Sequence, residues 1–358
     1  MAGDRDWLVV TNTRPGHERR VEPMGKAIGV IGAGGWGTAL AKLLCEKGHE
    51  LTLWCRGEEC CREIQERREN RSYLAGILLP LSLKATRSLK EAVSEKELLF
   101  CAVPSHGVRD VLEKAVFHVS PQTTMVCGTK GIEEKSLMTM GEVIKETFGE
   151  SRGKRLAFLS GPTFALEVAQ GLPAAITVAA SVERVGREIQ ETLSTQSLRV
   201  YTSKDVVGVQ MGGVVKNVIA IAAGISDGLG LGYNARAALI TRGLAEMTRL
   251  AIKMGGHPLT LSGLPGLGDL ILTCTGELSR NRRVGIRIGQ GEKLQEILDG
   301  MRMVAEGVRN TRSVHLLAGR LGVEMPIVEQ MHLVLYEGKQ PLDAVRDLMQ
   351  RSLKAEIM

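Results

Sequence analysis

Residues 27–48 read AIGVIGAGGWGTALAKLLCEKG. An apolar run of strand length passes into a cluster of glycines, and a helical pattern follows without a gap. Gly32, Gly34 and Gly37 stand in G-x-G-x-x-G spacing. At the end of a strand, the first glycine of such a loop permits a tight turn. The second lets the backbone approach a pyrophosphate, and the third lets the helix pack close to the strand. The helix N-terminus then points unpaired N–H groups and the positive end of its dipole at the anion. The motif alone is a weak signal. Its place at the first strand of an alternating chain makes it read as a dinucleotide-binding loop.

The alternation runs outward from there. Apolar runs of strand length lie at 27–32, 50–55, 98–103, 124–128, 155–159, 174–180 and 197–201. Segments of helical period lie between them, at 36–47, 58–69, 106–117, 136–148, 164–170 and 182–195. Such alternation predicts parallel strands joined by helical crossovers. The continuous apolar character of the strands predicts burial on both faces. Beyond about residue 203 the strand pattern stops. Segments 206–226, 234–254, 293–299, 304–321, 326–337 and 341–352 read as helix. Asn234 is placed to cap the second of these, Gly255 and Gly256 to end it, and Pro326 and Pro341 to occupy first turns. The expected fold is α/β. A Rossmann-type doubly wound sheet over residues 26–203 precedes an all-helical domain over 204–358, and residues 1–25 read as a flexible extension.

A chain of 358 residues exceeds one small core and suits two domains. Aromatic residues make up only 3%, so the interior must be built from Ala, Val, Leu, Ile and Met. The net charge of +6 hints at an anionic ligand, but no basic run is interleaved with aromatics, and nucleic acid is not an expected partner. The cysteines, at 45, 55, 60, 61, 101, 127 and 274, include no C-x-x-C pair and suit a reducing compartment. The histidines show no metal-ligand spacing, and no metal is expected. The N-terminal residues carry no secretory pattern. The longest low-charge stretch, 206–226, is broken by four glycines and Lys216, so no membrane insertion is expected and the chain reads as cytoplasmic.

In sheets of this kind ligands bind at the carboxyl ends of the strands. The second strand ends in Leu53-Trp54-Cys55-Arg56. An NAD-selective site usually places Asp or Glu there, on the ribose 2′-hydroxyl. Arg56 is instead placed to pair with a 2′-phosphate, which favours NADP, with NAD alongside. Strand 98–103 ends in Val103-Pro104-Ser105-His106, strand 124–128 in Gly128-Thr129-Lys130-Gly131, and strand 155–159 in Ser160-Gly161-Pro162-Thr163. The prolines stop their strands, and Ser105 or Thr163 is suited to cap the next helix. Lys130, a cation beside a nucleotide cleft, is suited to meet an anion or polarise an oxygen.

In the helical half, Asp269 is a lone carboxylate in the apolar, glycine-rich stretch 263–275. Ser279-Arg280-Asn281-Arg282-Arg283 offers consecutive donors at a helix start, which makes a phosphate site. Between Asp205 and Asp227 the single charge is Lys216, in GGVVKNVIA (212–220). Two readings of it stand. It is a structural lysine paired with a carboxylate, for which Asp269 is the candidate, or an amine whose apolar setting lowers its pKa from roughly 10.4.

Together GAGGWGTALA (32–41), VPSH (103–106), TKGIE (129–133), SGPTFALEVAQGLP (160–173), the segment 214–247 beginning VVKNVIA, GLPGLGDLILTCTGELSRNRRVG (263–285) and VAEGV (304–308) resemble the NAD(P)-dependent glycerol-3-phosphate dehydrogenases of the soluble bacterial type. The motifs run in the family's order from about residue 26 to the C-terminus. Gly35 stands where the family often has serine, and Ala75 where it often has proline. The resemblance implies an oxidoreductase that interconverts sn-glycerol 3-phosphate and dihydroxyacetone phosphate by hydride transfer. Its product would supply glycerophospholipid biosynthesis, its cofactor would be NADPH or NADH, and its assembly a homodimer.

By the same resemblance, Lys216 is the catalytic proton donor and acceptor, and Lys130 contacts both cofactor and substrate. Gly161, Thr163, Asn217, Asp269, Thr273, Ser279, Arg280 and Asn281 are implied to bind substrate. Gly32, Gly34, Gly35, Trp36, Gly37, Arg56, Tyr73, Ala165, Val304 and Glu306 are implied to bind cofactor, with Arg280 beside it. Ketopantoate reductases and 3-hydroxyacid dehydrogenases share the architecture and the lysine, but their substrates are carboxylates without a phosphate. The cluster at 279–283 is the feature that separates them.

Overall fold

The structure, a computed structural model, describes residues 25–301, 303–353 and 355–356. Apart from Gly25, the extension expected over 1–25 lies outside the described residues. The chain begins with β1 (Ala27–Ile31), α1 (Gly35–Glu46), β2 (Glu50–Trp54), α2 (Glu58–Arg67), β3 (Lys84–Thr86) and α3 (Leu89–Val93). It continues through β4 (Leu98–Cys101), α4 (Val108–Ala115), β5 (Thr124–Cys127), α5 (Met140–Phe148), β6 (Leu156–Ser160) and α6 (Ala165–Ala169). β7 (Ala174–Ala180), α7 (Glu183–Leu193) and β8 (Leu198–Ser203) complete the sheet. Its order is β3-β2-β1-β4-β5-β6-β7-β8. The chain works outward from β1 in one direction, then returns to β4 on its other side. That reversal opens a crevice above the ends of β1 and β4.

The sheet departs from the expected pattern in two places. β3 has three residues and pairs only with β2 at the edge, too short to show a strand period in sequence. β6 and β7 are antiparallel, not parallel. The helix between them, α6, has five residues. At 1.5 Å per residue it spans only about 7.5 Å. It cannot carry the chain back along the sheet, so β7 returns directly beside β6. Neither expected cap forms at the strand ends. Ser105 opens a 3₁₀ turn after Pro104, and the residue before α6 is Phe164, with no side-chain bond to the helix.

The second half is helical: α8 (Val206–Gly228), α9 (Gly232–Lys253), α10 (Pro258–Leu261), α11 (Asp269–Thr275) and α12 (Arg280–Gly289). α13 (Leu294–Asp299), α14 (Glu306–Leu321), α15 (Pro326–Tyr336) and α16 (Pro341–Met349) follow. A π-helical turn at Leu264–Gly268 leads into α11. α9 starts at Gly232, so Asn234 lies inside its first turn and caps nothing. Asp205 caps α8, accepting from the Gly208 N–H at 2.8 Å. α8 has 23 residues, and an 18-residue window of it has a mean hydropathy of 1.6, so by length and composition it could cross a bilayer. Yet 83% of its most apolar window is buried inside the protein. It is the axis around which Leu250, Leu270, Val284, Val314 and Val328 pack.

α8 and α12 touch backbone to backbone. A Cβ on Gly285 would lie 2.1 Å from the Ile221 carbonyl oxygen, and one on Gly224 would lie 2.1 Å from that of Arg282. Gly228 and Gly289 repeat the contact one turn on, at 2.3 and 2.6 Å from carbonyl oxygens. This approach sets the start of α12 beside the middle of α8. Gly285→Ala is expected to force the helices apart and cost about 1–3 kcal/mol, the usual price of overpacking. Chemical denaturation measures it; an unchanged midpoint would show that the close contact is no constraint.

Candidate active site

The loop after β1 is built for close approach. Gly32 has φ +111°, and a Cβ there would lie 2.9 Å from the Ala102 carbonyl oxygen. A Cβ on Gly37 would lie 1.9 Å from the Gly32 carbonyl oxygen. Gly34 precedes α1 without any side-chain cap, so the first N–H groups of the helix keep their capacity for an anion. A Cβ on Gly35 would fall 2.9 Å from the Tyr73 carbonyl oxygen and 3.7 Å from Ala165 Cβ. One on Gly128 would fall 2.9 Å from Trp36 Nε1. The structure thus gathers Gly32, Gly34, Gly35, Trp36, Gly37, Tyr73 and Ala165 around one loop. Arg56 is exposed at the end of β2 and forms no ion pair among the described residues. An uncapped helix start over a cradle that side chains would fill fits a dinucleotide. Asn70, which the sequence reading passes over, holds the loop from behind: its Nδ2 donates to the Ala33 carbonyl at 2.9 Å and to Thr38 Oγ1 at 2.8 Å. Its sequence neighbours are charged and give no sign that it is buried.

A second group of residues gathers on the far side of the crevice. Lys130, after β5, donates from Nζ to Asp269 Oδ2 at 2.6 Å. Lys216, in the middle of α8, donates to Asp269 Oδ1 and, at 2.8 Å, to Thr273 Oγ1. The Thr273 hydroxyl donates in turn to the Asp269 carbonyl at 2.6 Å. Lys216 is 6% exposed and Asp269 1%, so these charges are withdrawn from water. Burial lowers the Lys216 pKa to about 8, and Lys130 pushes the same way against the opposing pull of Asp269. Burial alone would raise the Asp269 pKa, but Lys130 and Lys216 outweigh it and hold the carboxyl below its ordinary value. Lys216 therefore has both the carboxylate partner of the first reading and the lowered pKa of the second.

The other expected substrate residues lie around this centre. Gly161 has φ +153° and packs against Ile176 Cα, and the Thr163 hydroxyl donates to the Gly161 carbonyl at 3.1 Å. Thr163 therefore shapes its own loop. Ser279 caps α12, its hydroxyl accepting from the Arg282 N–H at 3.2 Å. Asn217 Nδ2 donates to the Gly213 carbonyl at 3.1 Å, and Asn281 Nδ2 donates to Asn217 Oδ1 at 2.8 Å. Asn281 Oδ1 accepts from the Gly307 N–H at 2.9 Å. These amides lock α8, α12 and α14 together, and each keeps one hydrogen that these bonds do not use. Arg280, the first residue of α12, forms no ion pair among the described residues. Its side chain reaches solvent, yet protein on its flanks lowers its pKa by desolvation, with Glu306 opposing.

Val304 and Glu306 are half-buried at the start of α14. Glu306 accepts from the Ser105 N–H at 2.9 Å and from the Ser105 hydroxyl at 2.6 Å, so Ser105 ties the two halves together instead of capping a helix.

Residues 27–185 match the N-terminal domain of NAD-dependent glycerol-3-phosphate dehydrogenase, and residues 205–346 match its C-terminal domain. The glycerol-3-phosphate dehydrogenase [NAD(P)+] of Syntrophotalea carbinolica is 54% identical over 330 residues, 92% of this chain and 99% of that protein. That of Geobacter sp. strain M21 is 54% identical over 333 residues, 93% of this chain and 99% of its own length. The crystal structure of glycerol-3-phosphate dehydrogenase from Coxiella burnetii superposes with a TM-score of 0.88 at 41% identity, covering 92% of this chain and all of that one. With both domains matched in order and the relatives matched along nearly their whole length, the chain belongs to the NAD-dependent glycerol-3-phosphate dehydrogenase family.

Proposed function

We propose that the chain performs its family's reaction with Lys216 as the proton donor and acceptor. It is an NAD(P)-dependent oxidoreductase that interconverts sn-glycerol 3-phosphate and dihydroxyacetone phosphate, supplying glycerol 3-phosphate for glycerophospholipid biosynthesis. A bound nicotinamide would supply or accept the hydride at substrate C2. The observation that carries the assignment is the buried Lys216, bonded to Asp269 and Thr273, with its pKa lowered to about 8. At that value both the ammonium and the amine are accessible near neutrality. The ammonium gives a proton to the C2 oxygen during reduction, and the amine takes it back during oxidation. Thr273 and Asp269 orient Nζ. Lys130, on the other carboxylate oxygen, limits how strongly Asp269 can hold Lys216 in its charged form.

Arg280 and the N-terminus of α12 are the phosphate anchor. A guanidinium forks onto a phosphate bidentately, and the helix start adds N–H donors. Anchored at the phosphate, the substrate presents C2 to Lys216, so remote binding energy lowers the barrier at the reacting carbon. The glycine loop at 32–37 holds the dinucleotide pyrophosphate, with Trp36, Tyr73, Ala165, Val304 and Glu306 around it. Arg56 pairs with the 2′-phosphate of NADP.

Lys216→Ala is expected to lower kcat by about 10²–10⁴-fold, the range for losing a general acid, while dinucleotide binding by fluorescence titration persists. In the wild type, reduction needs the ammonium and its rate falls above about pH 8, whereas oxidation needs the amine and its rate falls below that value. A variant within about tenfold of wild type, or profiles without opposed limbs, would remove Lys216 from the role.

Arg280→Ala is expected to reduce kcat/KM for dihydroxyacetone phosphate by about 10²-fold or more, as loss of a charge-assisted anchor does. Dihydroxyacetone, which has no phosphate, should be affected little. Equal loss on both substrates would refute the anchor. For cofactor choice, Arg56→Ala should lower kcat/KM with NADPH by about tenfold, near the worth of one hydrogen bond to a charged group, and leave NADH unchanged. Parallel loss with both cofactors would remove Arg56 from 2′-phosphate recognition.

A further inference from the structure

Asn310 stands one turn after Glu306 on α14 and is 0% exposed. Its Nδ2 donates to the Lys130 carbonyl at 3.0 Å and to the Val214 carbonyl at 3.4 Å. A single amide thus joins the loop that carries Lys130 to the helix that carries Lys216. Its Oδ1 is buried without a hydrogen bond and faces Gly131: a Cβ there would lie 3.2 Å from Asn310 Oδ1 and 2.2 Å from Ser105 Cβ. Nothing larger than glycine fits between Asn310 and Ser105. Ser105 is held by Glu306, and Ser313 donates to the Ile132 carbonyl at 3.5 Å. Glu306, Asn310 and Ser313 fall at i, i+4 and i+7, on one helix face. All three bond to the loops after β4 and β5.

A face that served packing alone would be apolar, because buried polar groups cost free energy unless each finds a partner with good geometry. The polar stripe is directional. Lys130 and Lys216 sit on different halves of the protein, and the chain between them does not fix their separation. α14 bonds to both segments from outside. We propose that Asn310 is a positioning residue for the reaction: by holding the Lys130 and Val214 carbonyls on one amide, it sets the reach of Lys130 to Asp269, and so the share of that carboxylate left to Lys216.

This inference rests on Lys216 as the acid and base. The titratable groups facing Lys216 are Asp269 and Cys274 from α11 and Lys130 from the loop after β5. If Lys130 slips away, its repulsion is lost and Asp269 pairs with Lys216 alone. Both changes favour the ammonium, so the Lys216 pKa rises above its present value of about 8.

The test compares Asn310→Ala with Ser313→Ala in the full chain. Both residues are 0% exposed on the same helix face, and only Asn310 touches Lys130. The readouts are kcat and KM for dihydroxyacetone phosphate, the NADPH dissociation constant by fluorescence, and the pH–rate profile. Asn310→Ala is expected to lower kcat about tenfold or more, as small misplacements of catalytic groups do. It should leave the NADPH dissociation constant within about twofold and move the reduction limb to higher pH, while Ser313→Ala does none of this. Asn310→Leu, which keeps the branched shape and removes the amide, repeats the test if the alanine variant does not fold. A limb that stays in place, an equal shift in the Ser313 variant, or failure of both Asn310 variants to fold overturns the proposal. Lys216→Ala in the same series separates the two claims. If it stays active, the reading of Lys216 fails. If it is inactive while Asn310→Ala behaves as wild type, the positioning role alone fails.

Discussion

The carboxylate of Asp269 is held between two ammonium groups, Lys130 on one oxygen and Lys216 on the other. A buried ion costs several kcal/mol even after relaxation, and its partner recovers that only at hydrogen-bonding distance. At about 4 Å and an effective dielectric near 20, one unit pair is worth about 4 kcal/mol. The attraction falls off fast enough that loose placement would leave the charges uncompensated. Apolar side chains would serve stability as well or better. The triad therefore constrains the fold more than it stabilises it. Three segments far apart in the chain, the β5 loop, α8 and α11, must meet within a hydrogen bond of one carboxylate.

The glycines of GGVVKNVIA show how the fold meets that demand. A Cβ on Gly212 would lie 2.3 Å from the Pro265 carbonyl oxygen, so this glycine admits the π-helical turn that delivers Asp269. A Cβ on Gly213 would lie 3.2 Å from Lys130 Cγ and 2.9 Å from Ser160 Oγ, so this one admits the stem of Lys130. Two adjacent glycines, one turn before Lys216, thus make room for its two partners. The same logic continues along α8, where Gly224 and Gly228 admit α12 and bring Arg280 and Asn281 alongside. Backbone contact replaces side-chain packing wherever the site needs elements closer than ordinary helix spacing.

What the sequence disclosed follows local rules. G-x-G-x-x-G announced the loop after β1 because its glycines answer to turn and helix geometry within a few residues. Lys216 and Asp269 stood out because charge in an apolar segment is locally anomalous. What stayed hidden depends on distant partners. The antiparallel return of β7 reflects the length of a helix too short to read, and β3 is stabilised only by β2. Ser105 looked like a cap and instead bonds to Glu306, some two hundred residues away in the chain. Asn310 was a polar position in a helix like many others. Its role appears only when the Lys130 carbonyl is placed against it.

The sequence left open whether Asp269 would restrain the proton on Lys216, and the structure answers through sharing. A carboxylate devoted to one lysine would oppose burial fully and keep that lysine charged far above neutrality. Here Asp269 spends one oxygen on Lys130, and Lys130 also repels the second ammonium, so burial prevails. The pKa of about 8 thus reflects burial, the pull of Asp269 and the push of Lys130 acting together, not the pocket's apolarity alone. The two ammoniums and one carboxylate carry a net positive charge in a largely buried site. Under the proposed function, an arriving phosphate substrate would lower the energy of the charged state of Lys216 and so favour the protonated acid proposed for reduction. Both substrates of the proposed reaction carry the phosphate, so this bias would act in both directions and would weigh against the amine that oxidation needs.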